Sequence, residues 1–457
     1  MLQRDRENNM KICIVGAGVA GIQVADVLTE NGHDCHIFER EASVGGVWRR
    51  NYVGYALQVP MELYEFPGMP VPEKDGTFPD GDSVMKYIES YVEKRDLFAR
   101  CTFHFEEAVL RVEQVDDRWS VTTKMGQDMF DFCVVCTGMY NVPHVPVRND
   151  KTVHSSEFTD DAVVANKNVV VLGAGKSAID CAVASSKCAS RVTLLSRKMH
   201  WPVPRYIAGL VPFKWGTYSR IGHFLLPPHW NLSQTEAVVH KLSGWLKWSI
   251  WRVLEHIFSW QFSLKTRPDT PIEVDLFNGG QILTTEFRDA VSANKIEIDK
   301  YTSSHPALQS ADVIISATGF KKEYGIFDTD TLSRLDVQDD GLWLYKNIVP
   351  PLVENLAFVG SEVSTFNNIL TQHIQARWLA YTIKNGGIAS VEEMTSDIEK
   401  EKAWKRSWMP FTTSRAALLQ LHMTKYHDRL MKDMDRPVVC GHFWEWATPH
   451  TAREYRF

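Results

Sequence analysis

The sequence predicts an α/β fold with two Rossmann-like dinucleotide-binding domains, the second inserted into the first and carrying a helical insertion. Two glycine-rich turns support this prediction, at Gly16 and at Gly173, because each follows a short apolar strand and opens a helix. The chain has 457 residues, too many for one compact core, so two or three domains are expected.

Composition narrows the class of protein. Hydrophobic residues make up 44% and charged residues 23%, as in ordinary soluble globular proteins. The net charge of −6 argues against nucleic-acid binding, which needs a basic face. The first apolar run, 12–15, is too short for a secretory signal, and no transmembrane segment is expected. Eight scattered cysteines are read as reduced thiols, so the predicted location is cytoplasmic.

The first unit carries the pattern of an FAD site. Lys11 to Val15 is an apolar strand, the turn holds Gly16, Gly18 and Gly21, and a second strand ends at Glu39, 23 residues after the first glycine. Backbone N–H groups at such a helix start face a pyrophosphate. A carboxylate at this offset accepts hydrogen bonds from ribose hydroxyls and repels a 2′-phosphate, which favours FAD.

Residues after Glu39 extend the predicted flavin site. Arg40 is adjacent to the acid, and Gly45-Gly46-Val47-Trp48 follows. Paired glycines allow the backbone to approach a flat ring closely, and Trp48 can form a wall beside it. Arg40, Gly46, Val47 and Trp48 are therefore assigned to cofactor binding.

The second unit lacks the acid. Its turn holds Gly173, Gly175, Lys176 and Ser177, and the offset of 23 residues falls on Ser196, with Arg197 and Lys198 next. A hydroxyl beside cations suits a 2′-phosphate, so NADPH is predicted here, through Ser196 and Arg197. The alternative is that these cations are only solvated surface.

Two further strands indicate where the chain passes between the two domains, at points here called the crossings. The apolar strands 132–136 and 313–316 both run into a Thr-Gly turn, and the turn at Thr318-Gly319 is assigned to cofactor binding. The predicted FAD domain covers 1–160 and 305–457, the latter with a C-terminal helical segment. The predicted NADPH domain covers 161–304, with a Trp-rich helical insertion at about 203–265.

The Trp-rich stretch 242–260 is too interrupted by charge to span a bilayer. Its apolar residues repeat at helical spacing: Leu242, Trp245, Leu246, Ile250, Val253, Leu254 and Ile257. Trp248 and Trp251 lie towards the other side. A helix packed on both sides is the favoured interpretation, and a helix on a membrane surface or along a substrate route remains the alternative.

The sequence resembles the flavin-containing monooxygenases, the single-chain class B kind. The matching segments run along nearly the whole chain: Gly16-x-Gly18-x-x-Gly21, Gly45-Gly46-x-Trp48, Phe78-Pro79, Gly173-x-Gly175-x-Ser177, His154-Ser155-Ser156-Glu157-Phe158, Ala317-Thr318-Gly319 and Gln375-Ala376-Arg377-Trp378. The resemblance implies that His154 is structural, in the connection between domains. The family fingerprint begins with Phe-x-Gly, whereas Arg148 and Asp150 stand here.

The resemblance also implies a mechanism. NADPH reduces FAD, the flavin adds O2 to form a C4a-hydroperoxide, and bound NADP⁺ excludes water. A soft nucleophile then attacks the distal oxygen, giving N- or S-oxygenation of a small molecule. A family Asn over the flavin aligns with Gln58, which is the predicted catalytic residue. The ketone-oxidising branch usually ends its fingerprint with Trp, so Phe158 disfavours ketones.

Two alternatives stay open. A phenol halogenase, specifically a brominase, uses the same scaffold to oxidise halide. An NADPH oxidase or disulfide-type reductase reduces flavin without oxygen transfer, but its reactive CxxC is not expected at Cys133 and Cys136, three apart on a buried strand. The C-terminal histidines lack metal-ligand spacing, so no metal is expected. The substrate and a homo-oligomeric state are left open.

Overall fold

Two five-stranded parallel sheets form the frame of the molecule. The computed structural model describes residues 9–71, 76–264, 267–276, 281–409, 416–438 and 446–457. The first sheet has the strand order Leu356–Phe358, Phe132–Val135, Lys11–Val15, Asp34–Phe38 and Thr102–His104. The second sheet has the order Ile296–Lys300, Arg191–Ser196, Asn168–Leu172, Val313–Ser316 and Thr152–His154. The predicted fold class is confirmed.

Each fingerprint strand lies at the centre of its sheet because it is apolar on both faces. Four residues of Lys11–Val15 and four of Asn168–Leu172 are buried. Runs rich in Val and Ile are typical of strands covered on both sides by helices. Central placement brings the glycine turn of each unit to the carboxyl edge of its sheet, where nucleotides bind in such folds.

Helices, short strands and a meander complete the chain. The helices longer than two turns within the described residues are Val19–Glu30, Gly81–Lys94, Lys176–Ser185, Gln234–Leu242, Gly244–Gln261, Asn368–Asn385, Val391–Trp408 and Met423–Asp433. Shorter helical segments are Gly46–Trp48, Met61–Leu63, Leu97–Arg100, Ser155–Glu157, Asp161–Val164, Lys214–Thr217, Arg220–Phe224, Ile272–Asp275, Glu286–Ser292, Pro306–Ser310, Thr329–Leu335 and Ala452–Glu454. The antiparallel meander is Arg111–Val115, Arg118–Thr123 and Gly126–Phe130. Three short pairs are Pro202–Pro204 with Gln281–Leu283, Tyr206–Ile207 with Val211–Pro212, and Val142–Pro143 with Phe320–Lys321.

The second sheet reaches beyond the predicted limits of 161 and 304. Strands Thr152–His154 and Val313–Ser316 pair with each other inside it, although the sequence assigned both to the first domain. The two connections between the sheets, Val142–Pro143 and Phe320–Lys321, pair antiparallel. An apolar strand ending in Thr-Gly has the same pattern in either sheet, and only long-range pairing decides its place.

The CxxC residues lie on opposite faces of the first sheet, as predicted. Cys133 packs in one buried cluster with Cys13, and Cys136 packs in another with Ile14. Burial raises the pKa of the Cys136 thiol far above its usual value. Both thiols are buried, whereas the thiols of a redox pair are accessible to a partner.

The Trp-rich helix Gly244–Gln261 packs through one face only. Its buried residues are Lys247, Trp251, Glu255 and Phe258. Part of the predicted apolar stripe faces outward, with Trp245 72% and Val253 57% exposed, whereas Leu254 and Ile257 of the stripe pack against the buried cluster. The interpretation of a helix packed on both sides is wrong. No helix within the described residues is long and apolar enough to cross a bilayer.

The helical insertion is anchored to the C-terminal part of the first domain. Arg220 forms a two-pronged pair with Asp428, at 2.7 and 2.8 Å, and Lys425 reaches Glu236 at 2.6 Å. The indole N–H of Trp404 donates to the carbonyl of Pro228 at 2.8 Å. These contacts connect the second domain to the first at a distance from the two crossings.

Candidate functional site

The first glycine turn is shaped by packing at its ends and left open in the middle. Gly16 has φ +107°, and a Cβ there would lie 2.7 Å from the carbonyl oxygen of Cys136. A Cβ on Gly21 would lie 1.8 Å from the carbonyl oxygen of Gly16. Gly18 differs, since its nearest neighbour would be the Cα of Gly46 at 3.8 Å. The middle glycine thus leaves room for a ligand to approach the backbone.

The helix that follows offers an anion site. Gly18 caps Val19–Glu30, which has no side-chain cap and no acid in its first turn. The first N–H groups of a helix lack partners inside the helix, and the helix dipole adds positive potential there. The open turn and the uncapped helix fit a pyrophosphate.

Glu39 is held at the end of the second strand by backbone donors. Its side chain is buried and accepts hydrogen bonds from the N–H groups of Ala17 at 2.8 Å and Glu41 at 2.9 Å. A carboxylate has about four lone-pair positions, so acceptor capacity remains for ribose hydroxyls. Arg40 is exposed and donates to the side-chain oxygen of Asn141 at 3.0 Å.

The Gly-Gly-Val-Trp segment docks on the first turn. Gly45 donates to the carbonyl of Ala17 at 3.0 Å, and Gly46, with φ +55°, faces Gly18. The indole N–H of Trp48 donates to the hydroxyl of Tyr64 at 2.9 Å, which fixes the ring. Two predicted parts of the flavin site, Gly18 and Gly46, are thereby brought together, while Val47 is exposed beside them.

The second turn repeats this design. Gly173 has φ +130°, and a Cβ there would lie 2.3 Å from the carbonyl oxygen of Ala317, whereas a Cβ on Gly175 would meet nothing within 4 Å. Gly175 caps Lys176–Ser185 without a side-chain cap. The Lys176 ammonium pairs with Asp180 one turn along the same helix. Burial raises the pKa of Asp180, and Lys176 opposes that rise.

Ser196 and Arg197, the two residues predicted to bind the 2′-phosphate, lie at the end of their strand, but one is buried and the other is exposed. Ser196 is buried, and its hydroxyl contacts the sulfur of Met199 at 3.2 Å. Arg197 is exposed, and among the described residues its guanidinium donates to no acceptor and pairs with no carboxylate. The guanidinium is thus available to a ligand, while the Ser196 hydroxyl already has a neighbour.

The Thr-Gly turn and the His154 segment close the second crossing. The Thr318 hydroxyl donates to the carbonyl of His144, and Gly319 has φ +80°. The ring of His154 contacts the Ser156 hydroxyl at 2.8 Å and the Gly319 carbonyl at 3.0 Å. Both ring nitrogens therefore have partners in the connection, as a structural role requires.

Gln58 lies where the first domain meets the second. Its side-chain oxygen accepts a hydrogen bond from the N–H of Ile282 at 3.3 Å. Nearby on the same interface, the Tyr52 hydroxyl donates to Asp180 at 3.1 Å, and Val53 donates to the carbonyl of Phe158 at 2.8 Å.

Arg205 is a second side chain at this interface, and the sequence reasoning missed it. Its guanidinium lies 3.9 Å from the ring centroid of Phe78, and its buried Nε has no hydrogen-bond partner within the described residues. Arg205 directly follows Pro202–Pro204, the strand that pairs with the one holding Ile282. Its position in sequence, far from Phe78-Pro79, gave no signal of this contact.

A buried ion pair beside the flavin turn was also missed. Lys322, just after the second crossing, contacts Glu362 at 2.7 Å and the carbonyl of Ser361 at 2.7 Å, and the Tyr324 hydroxyl donates to Glu362 at 2.8 Å. Burial raises the pKa of Glu362, and Lys322 opposes the rise. A Cβ on the neighbouring Gly360 would lie 2.6 Å from the Cβ of Ala20 in the fingerprint helix. Glu362 does not lie at a fixed offset from a glycine turn, so the sequence alone did not mark it as a site residue.

Two parallel sheets, each with an open glycine turn at an uncapped helix start, define the class of oxidoreductases with two dinucleotide-binding domains. The family is more specific. The chain belongs to the flavin-binding monooxygenase-like family, whose family model matches residues 9–440. This match confirms the predicted family and the prediction of a flavin-dependent monooxygenase.

Individual relatives agree with this membership. The chain is 27% identical to a probable flavin-containing monooxygenase 1 of Arabidopsis thaliana, over 99% of this chain and 97% of the relative. It superposes on the S-allyl-L-cysteine S-oxygenase of Allium sativum with a TM-score of 0.64 and 19% identity, over 96% and 90% of the two chains. A cyclohexanone monooxygenase gives 0.70 and 17%, over 93% and 97%. OTEMO in complex with FAD and NADP gives 0.64 and 18%, over 86% and 89%. That complex holds the cofactor pair predicted for this chain.

Proposed function

We propose that this protein uses FAD, NADPH and O2 to transfer one oxygen atom to a soft nitrogen or sulfur nucleophile of a small molecule. The observation that carries the proposal is the contact between Gln58 and Ile282 at 3.3 Å. It joins the loop that follows the flavin turn to the domain that carries the second nucleotide turn. Two cofactors held on these domains would meet at the interface where the amide of Gln58 lies.

The residues of the first domain fit FAD. The open side of Gly18 and the uncapped helix start accept the pyrophosphate, and Glu39 accepts hydrogen bonds from the ribose hydroxyls. Gly46 and Val47 line the approach, Trp48 gives a wall fixed by Tyr64, and Arg40 borders the acid. When bound, FAD supplies the redox chemistry and the activation of O2.

The residues of the second domain fit NADPH. Gly175 leaves the helix start open, Lys176 and Ser177 form its first turn, and Gly173 keeps the turn tight. Arg197, exposed at the end of its strand, would supply a cation to the 2′-phosphate, with Ser196 beside it. The turn at Thr318 and Gly319 lies next to Gly173, through the contact of Ala317.

Gln58 is the proposed catalytic residue. Its oxygen accepts from Ile282, so the amide N–H groups would be the donors that this side chain could offer to a bound flavin. The contacts of Tyr52 with Asp180 and of Val53 with Phe158 hold the same segment of the first domain against the second.

A soft nucleophile is favoured over a ketone by two side chains. Gln58 brings no charge to the interface, and Phe158 stands where the ketone-oxidising branch has Trp. Oxygen insertion beside a ketone needs a stabilised oxygen anion, and a cation serves that role. Arg205 is a cation on this interface, stacked on Phe78, and so ketones belong in the substrate panel as the opposing outcome.

The test is a substrate panel with the purified flavoprotein. NADPH consumption is followed with amines, thioethers, cyclic ketones, phenols, and phenols with bromide, and products are identified by mass spectrometry. The proposal expects one added oxygen on amines or thioethers without need of halide. Phenol conversion only with bromide would establish the halogenase instead. NADPH oxidation that yields only H2O2 on every substrate would establish an oxidase.

A further inference from the structure

The helical insertion carries an unusual share of the exposed apolar surface. Among the described residues, thirteen of the twenty-six large apolar side chains that are exposed lie between Tyr206 and Trp260. Soluble proteins rarely gather such side chains in one area, and such a patch marks an interaction surface. The buried face of the Trp-rich helix is formed by other residues, Lys247, Trp251, Glu255 and Phe258.

Nine of these side chains lie on connected elements and form a surface here called the outer face. The amide nitrogen of Gln261, at the end of the Trp-rich helix, donates to the carbonyl of Tyr206 at 2.9 Å, and Ala208 donates back at 3.1 Å. The turn of this hairpin holds Leu210, which is 82% exposed. The hairpin therefore lies beside Trp260. At the other end the preceding helix joins the Trp-rich helix at Ser243. The outer face comprises Leu210, Val211, Val238, Val239, Leu242, Trp245, Leu246, Val253 and Trp260.

The polarity of the Trp-rich helix is inverted relative to a surface helix in water. Its charged residues point to the protein: Lys247 is buried and contacts His240 at 2.6 Å, and Glu255 pairs with Arg252 at 3.1 Å. Its outward residues include Trp245 and Trp260 at 72% and 71% exposure. A water-exposed helix places charge outside and apolar residues inside, so this helix is suited to an apolar environment on its outer side.

The charge beside the outer face favours a lipid surface as its occupant. Both acids of residues 203–264 are neutralised, Glu236 by Lys425 and Glu255 by Arg252. Of the six Lys and Arg in this range, Lys214 and Arg220 pair with Glu62 and Asp428, and Lys247 is buried, whereas Lys241 is exposed beside the outer face. A two-fold contact with a second copy would add the same cation from the other copy and no free acid of this range. Anionic headgroups would supply the opposite charge to Lys241.

Geometry sets the mode of binding. The Trp-rich helix has 18 residues, about 27 Å in length, and no described helix can span a bilayer. Trp side chains prefer the level of the lipid headgroups, because the ring is apolar and the N–H is polar. We propose that the outer face binds a bilayer surface containing anionic phospholipid, with the Trp-rich helix lying in the plane of the headgroups. This proposal does not depend on the substrate.

The test is vesicle flotation of the full-chain flavoprotein. Wild type, W245Q/W260Q, K241E and W446Q are mixed with vesicles of phosphatidylcholine alone or with phosphatidylserine. Trp446 is an exposed tryptophan outside the insertion, so W446Q is the matched control. Wild type and W446Q are expected to float with the anionic vesicles. The affinity of W245Q/W260Q for the vesicles is expected to be at least about tenfold lower than that of wild type. K241E is expected to lose affinity for the anionic vesicles but not for those of phosphatidylcholine alone.

Three results would overturn the proposal. Wild type that stays at the bottom of the gradient with both kinds of vesicle lacks a lipid-binding face. An equal loss of flotation in W446Q shows that the effect is not specific to the insertion. A wild-type dimer that W245Q/W260Q converts to monomer in sedimentation velocity shows that a second copy covers the outer face. Unchanged flavin absorbance and melting temperature establish that W245Q/W260Q is folded.

Discussion

The side-chain oxygen of Gln58 accepts a hydrogen bond from the backbone N–H of Ile282, 224 residues further along the chain. The bond crosses from the domain with the flavin turn to the domain with the second nucleotide turn. One amide is thereby fixed at the interface where two cofactors would meet, with its donors still available. The proposed coupling of NADPH oxidation to oxygen transfer depends on this arrangement.

Replacing Gln58 with Ala should uncouple the reaction. The variant loses the bond to Ile282 and the amide donors, a change of about 1 kcal/mol in the contact itself. NADPH oxidation should continue, while the H2O2 formed per NADPH rises several-fold and product falls. The measurement is peroxide and product yield per NADPH. Gln58→Asn, a shorter amide, should recover part of the coupling, and an unchanged peroxide yield in Gln58→Ala would remove this role.

Gly18 and Gly175 give a matched pair of variants. Both have negative φ, and a Cβ would meet only the Cα of Gly46 at 3.8 Å in the first case and nothing within 4 Å in the second, so a Cβ there costs the fold little. Gly18→Val should purify without yellow colour, whereas Gly175→Val should keep FAD and bind NADPH about tenfold or more weakly. Absorbance spectra and NADPH titration separate the two. Stoichiometric FAD in Gly18→Val would contradict the assignment.

Arg197→Ala should weaken the use of NADPH and spare NADH. Loss of one charged hydrogen bond is worth about 1.5–3 kcal/mol, or about tenfold or more in kcat/KM for NADPH. Arg191→Ala is the control, because Arg191 lies at the opposite end of the same strand and pairs with Glu297 at 2.5 Å. Equal losses with NADPH and NADH in Arg197→Ala would exclude a contact with the 2′-phosphate.

Acid should destabilise the protein through its buried histidines. Burial lowers the pKa of His229 to about 4 and holds the pKa of His427 well below its usual value. These rings stay neutral in the fold but gain a proton in the unfolded chain below about pH 6.5. Their stabilisation is complete above that pH and falls as pH drops towards 4, by up to about 1.4 kcal/mol per pH unit for each ring.

The check is urea unfolding between pH 7 and pH 5. His229→Gln should show a shallower loss of unfolding free energy with acid than wild type, because glutamine does not titrate. His305→Gln is the control, since His305 pairs with the exposed Asp299. If wild type and His229→Gln lose stability in parallel, His229 does not contribute to the acid sensitivity.

The strand, glycine turn and helix of each nucleotide-binding unit could be predicted because their sequence pattern is contained in one short segment. Strand, glycine turn and helix follow one another within about thirty residues in such units, and the structure has Lys11–Val15 and Asn168–Leu172 where the sequence indicated them. The place of Val313–Ser316 could not be predicted, because both sheets accept an apolar strand and its partner Thr152–His154 lies on the other side of the whole predicted second domain, 161–304.

The outer face of the insertion shows the limit of periodicity. Helical spacing identified the apolar stripe with Trp245 and Val253, but periodicity does not say whether a stripe faces protein or surroundings. The part of the stripe with Trp245 and Val253 points outward, Leu254 and Ile257 pack inward, and the face with Trp251 and Phe258 is buried. The contacts of Arg205 with Phe78 and of Lys322 with Glu362 also escaped prediction, since each joins residues distant in sequence.

Oxygen transfer itself is tested most directly by turnover under isotopically labelled O2. The purified flavoprotein is given NADPH and the thioether or amine that consumes NADPH fastest, and the product is analysed by mass spectrometry. We expect one labelled oxygen atom in each product molecule and one NADPH consumed for each. Product without label, or NADPH oxidation that gives only labelled H2O2, would contradict it.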